Sequence, residues 1–157
     1  MRTAVVITAS NRASRGEYAD LSGESLAEGL TALGYEVSGP HVVTDSIDLI
    51  SEQLTVALAN KTRLIVTTGG TGVSPTDVTP EATAPFIEKI IPGFSEALRA
   101  HSREKVPTSD LTRGLVGTHG TSLIINLPGS QGAIKDGLVI IERLAGYILD
   151  QLDGKDH

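Results

Sequence analysis

The chain contains no cysteine and no tryptophan among its 157 residues. Without cysteine there is no disulfide framework, no thiolate metal site and no cysteine nucleophile. Aromatic residues make up 3%, three tyrosines and two phenylalanines, which leaves no stacking platform for single-stranded nucleic acid. Basic residues are outnumbered: 13 Lys and Arg against 19 Asp and Glu give a formal net charge of −6. That balance argues against generic nucleic-acid binding, which needs a basic footprint. No apolar run approaches the roughly 20 residues of a membrane span. The opening residues MRTAVVITASN lack a long apolar core and run directly into a strand-like pattern, so a signal peptide is not expected. Hydrophobic residues at 39% and a mean hydropathy near zero, +0.04, fit a globular domain. A cytosolic protein is the simplest reading.

Glycine is abundant, at 17 residues. Its most informative cluster lies in Leu64–Thr83, LIVTTGGTGVSPTDVTPEAT. Leu64, Ile65 and Val66 form a short apolar, β-branched run expected of a buried parallel strand. Gly69, Gly70 and Gly72 follow Thr67 and Thr68, then comes a single carboxylate, Asp77. Thr79-Pro80-Glu81 starts a helix, with proline where its missing N–H is harmless. The stretch therefore reads strand, glycine loop, acidic residue, helix start. In an open α/β sheet such a loop sits at the carboxyl end of a strand, where ligands bind.

Along the chain, AVVIT (4–8) predicts the first strand, with a polar loop after it. Residues 24–33 predict a helix with Leu26, Leu30 and Leu33 on one face and Gly34 as its stop. Tyr35, Val37, Val42 and Val43 suggest a second strand, interrupted by Gly39-Pro40 and so at an edge. Asp45 or Ser46 caps a helix striped by Ile47, Ile50, Leu54 and Leu58. Residues 81–91 have a helical pattern that Pro85 should kink or shorten, Pro92-Gly93 breaks it, and a further helix covers 95–103. The stretch 105–120 has no clear pattern. SLIINL (122–127) predicts a buried strand, and 133–152 a final helix. We therefore expect one domain over 1–152 with a polar tail at 153–157. Alternating strands and amphipathic helices predict an α/β fold with a mostly parallel sheet and helices on both faces. The loops after Thr8, Thr68 and Leu127 should share one rim, with Asp45 reaching it from a helix start.

The glycines allow backbone N–H groups to approach an anion, and the helix start near Thr79 adds partial positive charge. No Gly-Lys-Ser/Thr follows, so this is not a P-loop; Pro75 stands where a dinucleotide fingerprint needs its third glycine. A tight turn without a ligand would also account for the glycines. Asp77 is a candidate Mg²⁺ ligand beside bound phosphate, or a loop brace. Asp45 is a rim carboxylate or an ordinary cap. Pro128-Gly129-Ser130 could cap the last helix or serve an anion. Arg12 and Arg15 could meet phosphate or remain solvated. His41, His101, His119 and His157 show no metal-ligand spacing, and no serine sits in a nucleophile elbow. A phosphate or nucleotide ligand with Mg²⁺ is the chemistry these residues fit.

At Thr68-Gly69-Gly70-Thr71-Gly72 and Thr76-Asp77-Val78-Thr79-Pro80-Glu81-Ala82-Thr83 the sequence resembles the molybdopterin-binding domain of the MogA/MoaB and gephyrin group. Ser10-Asn11-Arg12-Ala13-Ser14-Arg15-Gly16, Pro92-Gly93-Phe94 and the stretch from Ser122 through Asn126 to Pro128-Gly129-Ser130 agree in the same order. The resemblance implies a three-layer α/β/α domain, a homotrimer, and Mg²⁺-dependent adenylyl transfer from ATP to molybdopterin with release of pyrophosphate. A molybdenum insertase is an implied partner; no nucleic acid and no membrane are. Matched position by position, Asp77 and Asp45 take catalytic roles, Asp77 with Mg²⁺. Ser10, Arg12, Ser14, Thr68, Gly69, Gly70, Thr71, Gly72, Thr76, Glu81, Ser122, Asn126, Pro128, Gly129 and Ser130 become candidate nucleotide or pterin contacts. Asn11 departs from the group's pattern, where an aspartate is common, and Pro85 is unusual. A non-catalytic pterin-binding scaffold, or a CinA-like nucleotide pyrophosphatase, is the alternative.

Overall fold

A computed structural model describes residues 1–156; His157 and the expectation attached to it lie outside the described residues. The elements are β1 (Thr3–Ala9), α1 (Asn11–Ser14), α2 (Leu21–Ala32), β2 (Glu36–Val43), α3 (Ile47–Ala59), β3 (Leu64–Thr68), α4 (Thr79–Thr83), β4 (Lys89–Ile90), α5 (Pro92–Ser102), β5 (Val116–His119), β6 (Ser122–Leu127) and α6 (Gln131–Leu152). Short 3₁₀ turns lie at Ala84–Phe86 and Pro107–Leu111.

The strands form one six-stranded sheet in the order β2-β1-β3-β6-β5-β4. Four neighbours run parallel, and β5 reverses against both β6 and β4. Alternate strand residues feed two cores. Ala4, Val6, Leu64, Val66, Leu123 and Ile125 face α2, α5 and α6, while Val5, Ile7, Ile65 and Ile124 face α3 and α4. Burial on both faces explains why β1, β3 and β6 read as continuous apolar runs instead of alternating ones.

β2 is an edge strand, and it passes through Gly39-Pro40 by a cis peptide without ending there. Other boundaries differ from expectation. The first loop contains the single helical turn α1, closed by Ser10 accepting from Ala13 N–H at 3.2 Å. Ser46, not Asp45, caps α3. The helical pattern over 81–91 is misleading: α4 stops at Thr83, Pro85 sits in a 3₁₀ turn, and residues 89–90 join the sheet. Pro92 does not end a helix but opens one, as its fixed φ favours at a first helical position. The unpatterned stretch 105–120 holds a 3₁₀ turn and β5, a strand too short to show alternation.

β1 leads to β2 on one side, and β2 returns across to β3 on the other. The order therefore reverses between β1 and β3, which opens a crevice at their carboxyl ends. Register places Thr8 level with Thr68, and Thr68 level with Leu127. Three strand tips thus end at one height.

Candidate functional site

Three loops converge on that rim. Gly69 has φ +94°, and a Cβ there would lie 2.3 Å from the carbonyl oxygen of Ala9. Only glycine permits that approach. The last loop presses on the same point, with a Cβ on Gly129 falling 3.2 Å from Gly69 Cα. Thr68 Oγ1 donates to Pro128 O at 3.1 Å, and Ser22 Oγ to Gly129 O at 2.8 Å, tying the last loop to β3 and to the start of α2. Gly69 N–H donates to Leu127 O. No hydrogen bond among the described residues takes up the N–H groups of Gly70, Thr71 and Gly72.

Two cavities open on either side of this junction. The first, about 500 Å³, is bordered by Ser10, Asn11, Arg12, Arg15, Tyr18, Asp20, Asp45 and Thr76. The second, about 670 Å³, has an apolar wall of Leu98, Val106 and Leu111 with Lys105, Lys135 and Asp136. Gly69, Gly70, Asp77 and Gly129 border both. Asp77 therefore stands at the partition.

The Asp77 carboxylate is aimed by its own loop. Oδ2 accepts from Ser74 N–H at 3.0 Å and Ser74 Oγ at 2.8 Å, while Oδ1 accepts no hydrogen bond among the described residues. Gly72 leaves room for it, since a Cβ there would sit 2.7 Å from Oδ2. Asp45 is held reciprocally by Asn11: Asn11 N–H donates to Asp45 Oδ2 at 3.2 Å, and Asp45 N–H to Asn11 Oδ1 at 2.9 Å. Desolvation first, and the charge of Asp77, push the Asp45 carboxyl above the usual aspartate range, against the pull of the Asn11 hydrogen bond.

Positive potential comes from a source other than the one expected. α4 has only five residues, and its first N–H, from Thr79, already donates to Gly70 O. The long helices α2 and α6 instead begin at the rim. Asp20 caps α2 through Gly23 N–H and accepts from Thr8 Oγ1 at 2.7 Å; Ser130 caps α6 through Ala133 N–H. The α6 N-terminus, capped by a neutral hydroxyl, favours negative charge nearby, whereas the Asp20 carboxylate already fills that place at α2.

The expected contacts divide. Ser10, Arg12, Thr68, Gly69, Gly70, Thr76, Asp45 and Asp77 border the first cavity; Thr71, Gly72, Pro128 and Ser130 border the second. Four candidates lie elsewhere. Ser122 is at the far end of β6, buried, donating to Thr62 O at 2.6 Å, so it cannot reach a ligand at the rim. Asn126 is buried beneath the rim: Nδ2 donates to Thr67 Oγ1 and Thr83 Oγ1, and Oδ1 accepts from Leu115 N–H. Ser14 turns its hydroxyl back to Asn11 O. Glu81 is outside both cavities, in a two-pronged ion pair with Arg113 at 2.7 and 3.2 Å. Those four border neither cavity.

Residues that sequence reasoning passed over include Tyr18, Asp20, Lys105, Lys135, Asp136 and Arg113. Asp20 immediately before a helical pattern is a readable cap signal. Asp136 is buried in the second turn of α6, accepting from Ser102 Oγ at 2.8 Å and facing Lys105 at 3.3 Å; only the fold brings these together. His101 stands 3.5 Å from Asp136, and His119 Nδ1 is bonded to Phe86 O.

Comparison with known proteins meets this geometry. A family profile described as "Probable molybdopterin binding domain" matches residues 5–145. The chain belongs to that family. It is 40% identical over 153 residues to a molybdopterin adenylyltransferase of Helicobacter pylori, covering 95% of this chain and 86% of that protein. A solved structure of the molybdopterin biosynthesis Mog protein from Mycobacterium ulcerans superposes with a TM-score of 0.91 at 42% identity, covering 97% and 99% of the two chains. A CinA structure from Thermoplasma acidophilum reaches 0.67 at 25% identity, over 94% and 98%. The fold is therefore one that this chain has in common with these solved structures.

Proposed function

We propose that this chain is a molybdopterin adenylyltransferase. A phosphate oxygen of molybdopterin attacks the α-phosphorus of ATP, a new P–O bond forms, the bond to the β-phosphate breaks, and pyrophosphate leaves. The observation that carries this reading is the partition. One reaction joining two large substrates needs two adjoining recesses with a common reacting point, and Asp77 and the glycine loop supply it.

The protein's part is to hold and to orient. Backbone N–H groups of residues 70–72 and the start of α6 favour phosphate oxygens. Arg12 and Arg15 add positive charge on the first cavity. Asp77 and Asp45 offer hard oxygen donors, but among the described residues no group of three metal-ligating side chains exists. Mg²⁺ takes one or two carboxylates and completes its shell with phosphate and water. Asp77 would hold it beside Asp45, and the ion would offset charge on the phosphates. A cytosolic location fits a reaction that draws on ATP. We propose a homotrimer that passes its adenylated product to a molybdenum insertase.

Purified protein given molybdopterin, ATP and Mg²⁺ should release pyrophosphate and form adenylated molybdopterin. Pterin binding without release would support a scaffold role instead. Hydrolysis of ADP-ribose with molybdopterin ignored would support the pyrophosphatase reading.

A further inference from the structure

We infer that Arg113 is the positioning residue of the partition: it clamps the loop that aims Asp77, and Glu81 acts only through it. The inference rests on the adenylyl-transfer reading for its kinetic consequence, but not for its structural one.

The Gly72–Asp77 loop joins a buried strand to a five-residue helix and has little of its own to hold it. Ser74 and Asp77 bond each other, Asp77 N–H to Ser74 O at 3.0 Å and Ser74 to the Asp77 carboxylate, which closes a turn whose ends these bonds leave unanchored and free to open. Arg113 supplies the place. Its backbone N–H donates to Thr71 O at 2.8 Å, and its side chain donates from Nε to Gly72 O at 2.8 Å and from Nη2 to Asp77 O at 3.1 Å. One side chain thus grips both ends of the loop. Its two Nη atoms also fork onto Glu81 in the first turn of α4.

The clamp has a rigid footing. Arg99 on α5 donates twice to Thr112 O, and Ser95 on the same helix to Gly114 O. Residues 112–114 are therefore held from behind while Arg113 reaches forward. The planar guanidinium suits this, since lysine could satisfy one of these acceptors but not the set. The ion pair with Glu81 raises the guanidinium pKa further and lowers that of Glu81, so both stay charged throughout the neutral range. Arg113 borders neither cavity, which separates it from the substrate contacts.

The test compares Arg113→Lys, Glu81→Gln and the double variant with wild type. Hydrogen–deuterium exchange on the free protein should show the Ser74 and Asp77 amides exchanging at least about tenfold faster in Arg113→Lys, with β3 and β6 unchanged. In turnover, kcat should fall by roughly ten- to a hundredfold, the scale of a small misplacement of a catalytic group, with KM for ATP within about twofold. The double variant should be no worse than Arg113→Lys alone. Unaltered exchange at 74 and 77 in Arg113→Lys would overturn the inference, as would faster exchange spread evenly over the sheet. Should wild type lack adenylyl transfer, the exchange comparison still decides on the clamp, and only the reaction is rejected.

Discussion

Asp77 is one carboxylate with one oxygen tied to Ser74 and the other left for a ligand. Asp77→Asn retains an acceptor for Ser74 but loses the charge; transfer should fall by about a hundredfold or more while the melting temperature stays near wild type. Gly72→Ala tests the same point from the other side, because its methyl would push on Oδ2. Turnover should drop with little loss of stability, read as kcat beside a thermal melt. Asp45 makes the pH argument. Its folded pKa is raised, so its contribution to stability is complete below the unfolded value and is lost as pH rises through the folded one. At neutral pH the half-buried charge is a liability. Asp45→Asn, which keeps the acceptor for Asn11 N–H, should be at least as stable as wild type at neutral pH, should lose that advantage in acid, and should be impaired in transfer. Urea melts at two pH values check the sign.

At the scale of elements, what could be read from the sequence was whatever depends on a run of neighbours. β3, β6, α3 and α6 carry enough apolar residues in register to declare themselves, and Pro80 and Gly69 mark the loop between β3 and α4. The largest failures share one cause, which is partners distant along the chain. The pattern over 81–91 has helical spacing, yet residues 89–90 pair with β5 nearly thirty positions later. Asn126 belongs to a motif and so looks like a contact, but its amide bridges β3, α4 and the residue before β5. Asn126→Asp cannot donate to both threonines. It should destabilise the fold by about 2–4 kcal/mol in a chemical melt, since a buried carboxylate would face Thr83 Oγ1, whose hydroxyl already donates to Thr79 O, acceptor against acceptor. By contrast Ser122→Ala, far from the rim, should leave turnover unchanged, an outcome a steady-state assay can read.

For the molecule as a whole, the sheet order matters more than any single loop. Reversal between β1 and β3 creates the crevice, register brings three tips level, and three close-packed loops divide the opening into two recesses. Composition indicates a domain with a real core, and the glycines indicate a loop, but division into two recesses depends on Gly129 meeting Gly69 across sixty residues. Light scattering tests the homotrimer: a particle of three chains is expected at micromolar concentration. The most direct measurement of the central claim follows the label from ATP marked at the α-phosphorus, incubated with molybdopterin and Mg²⁺ and either wild type or Asp77→Asn. Label should appear on the pterin product with wild type and be nearly absent with the variant, although both bind ATP. Equal transfer by the two proteins would contradict the account.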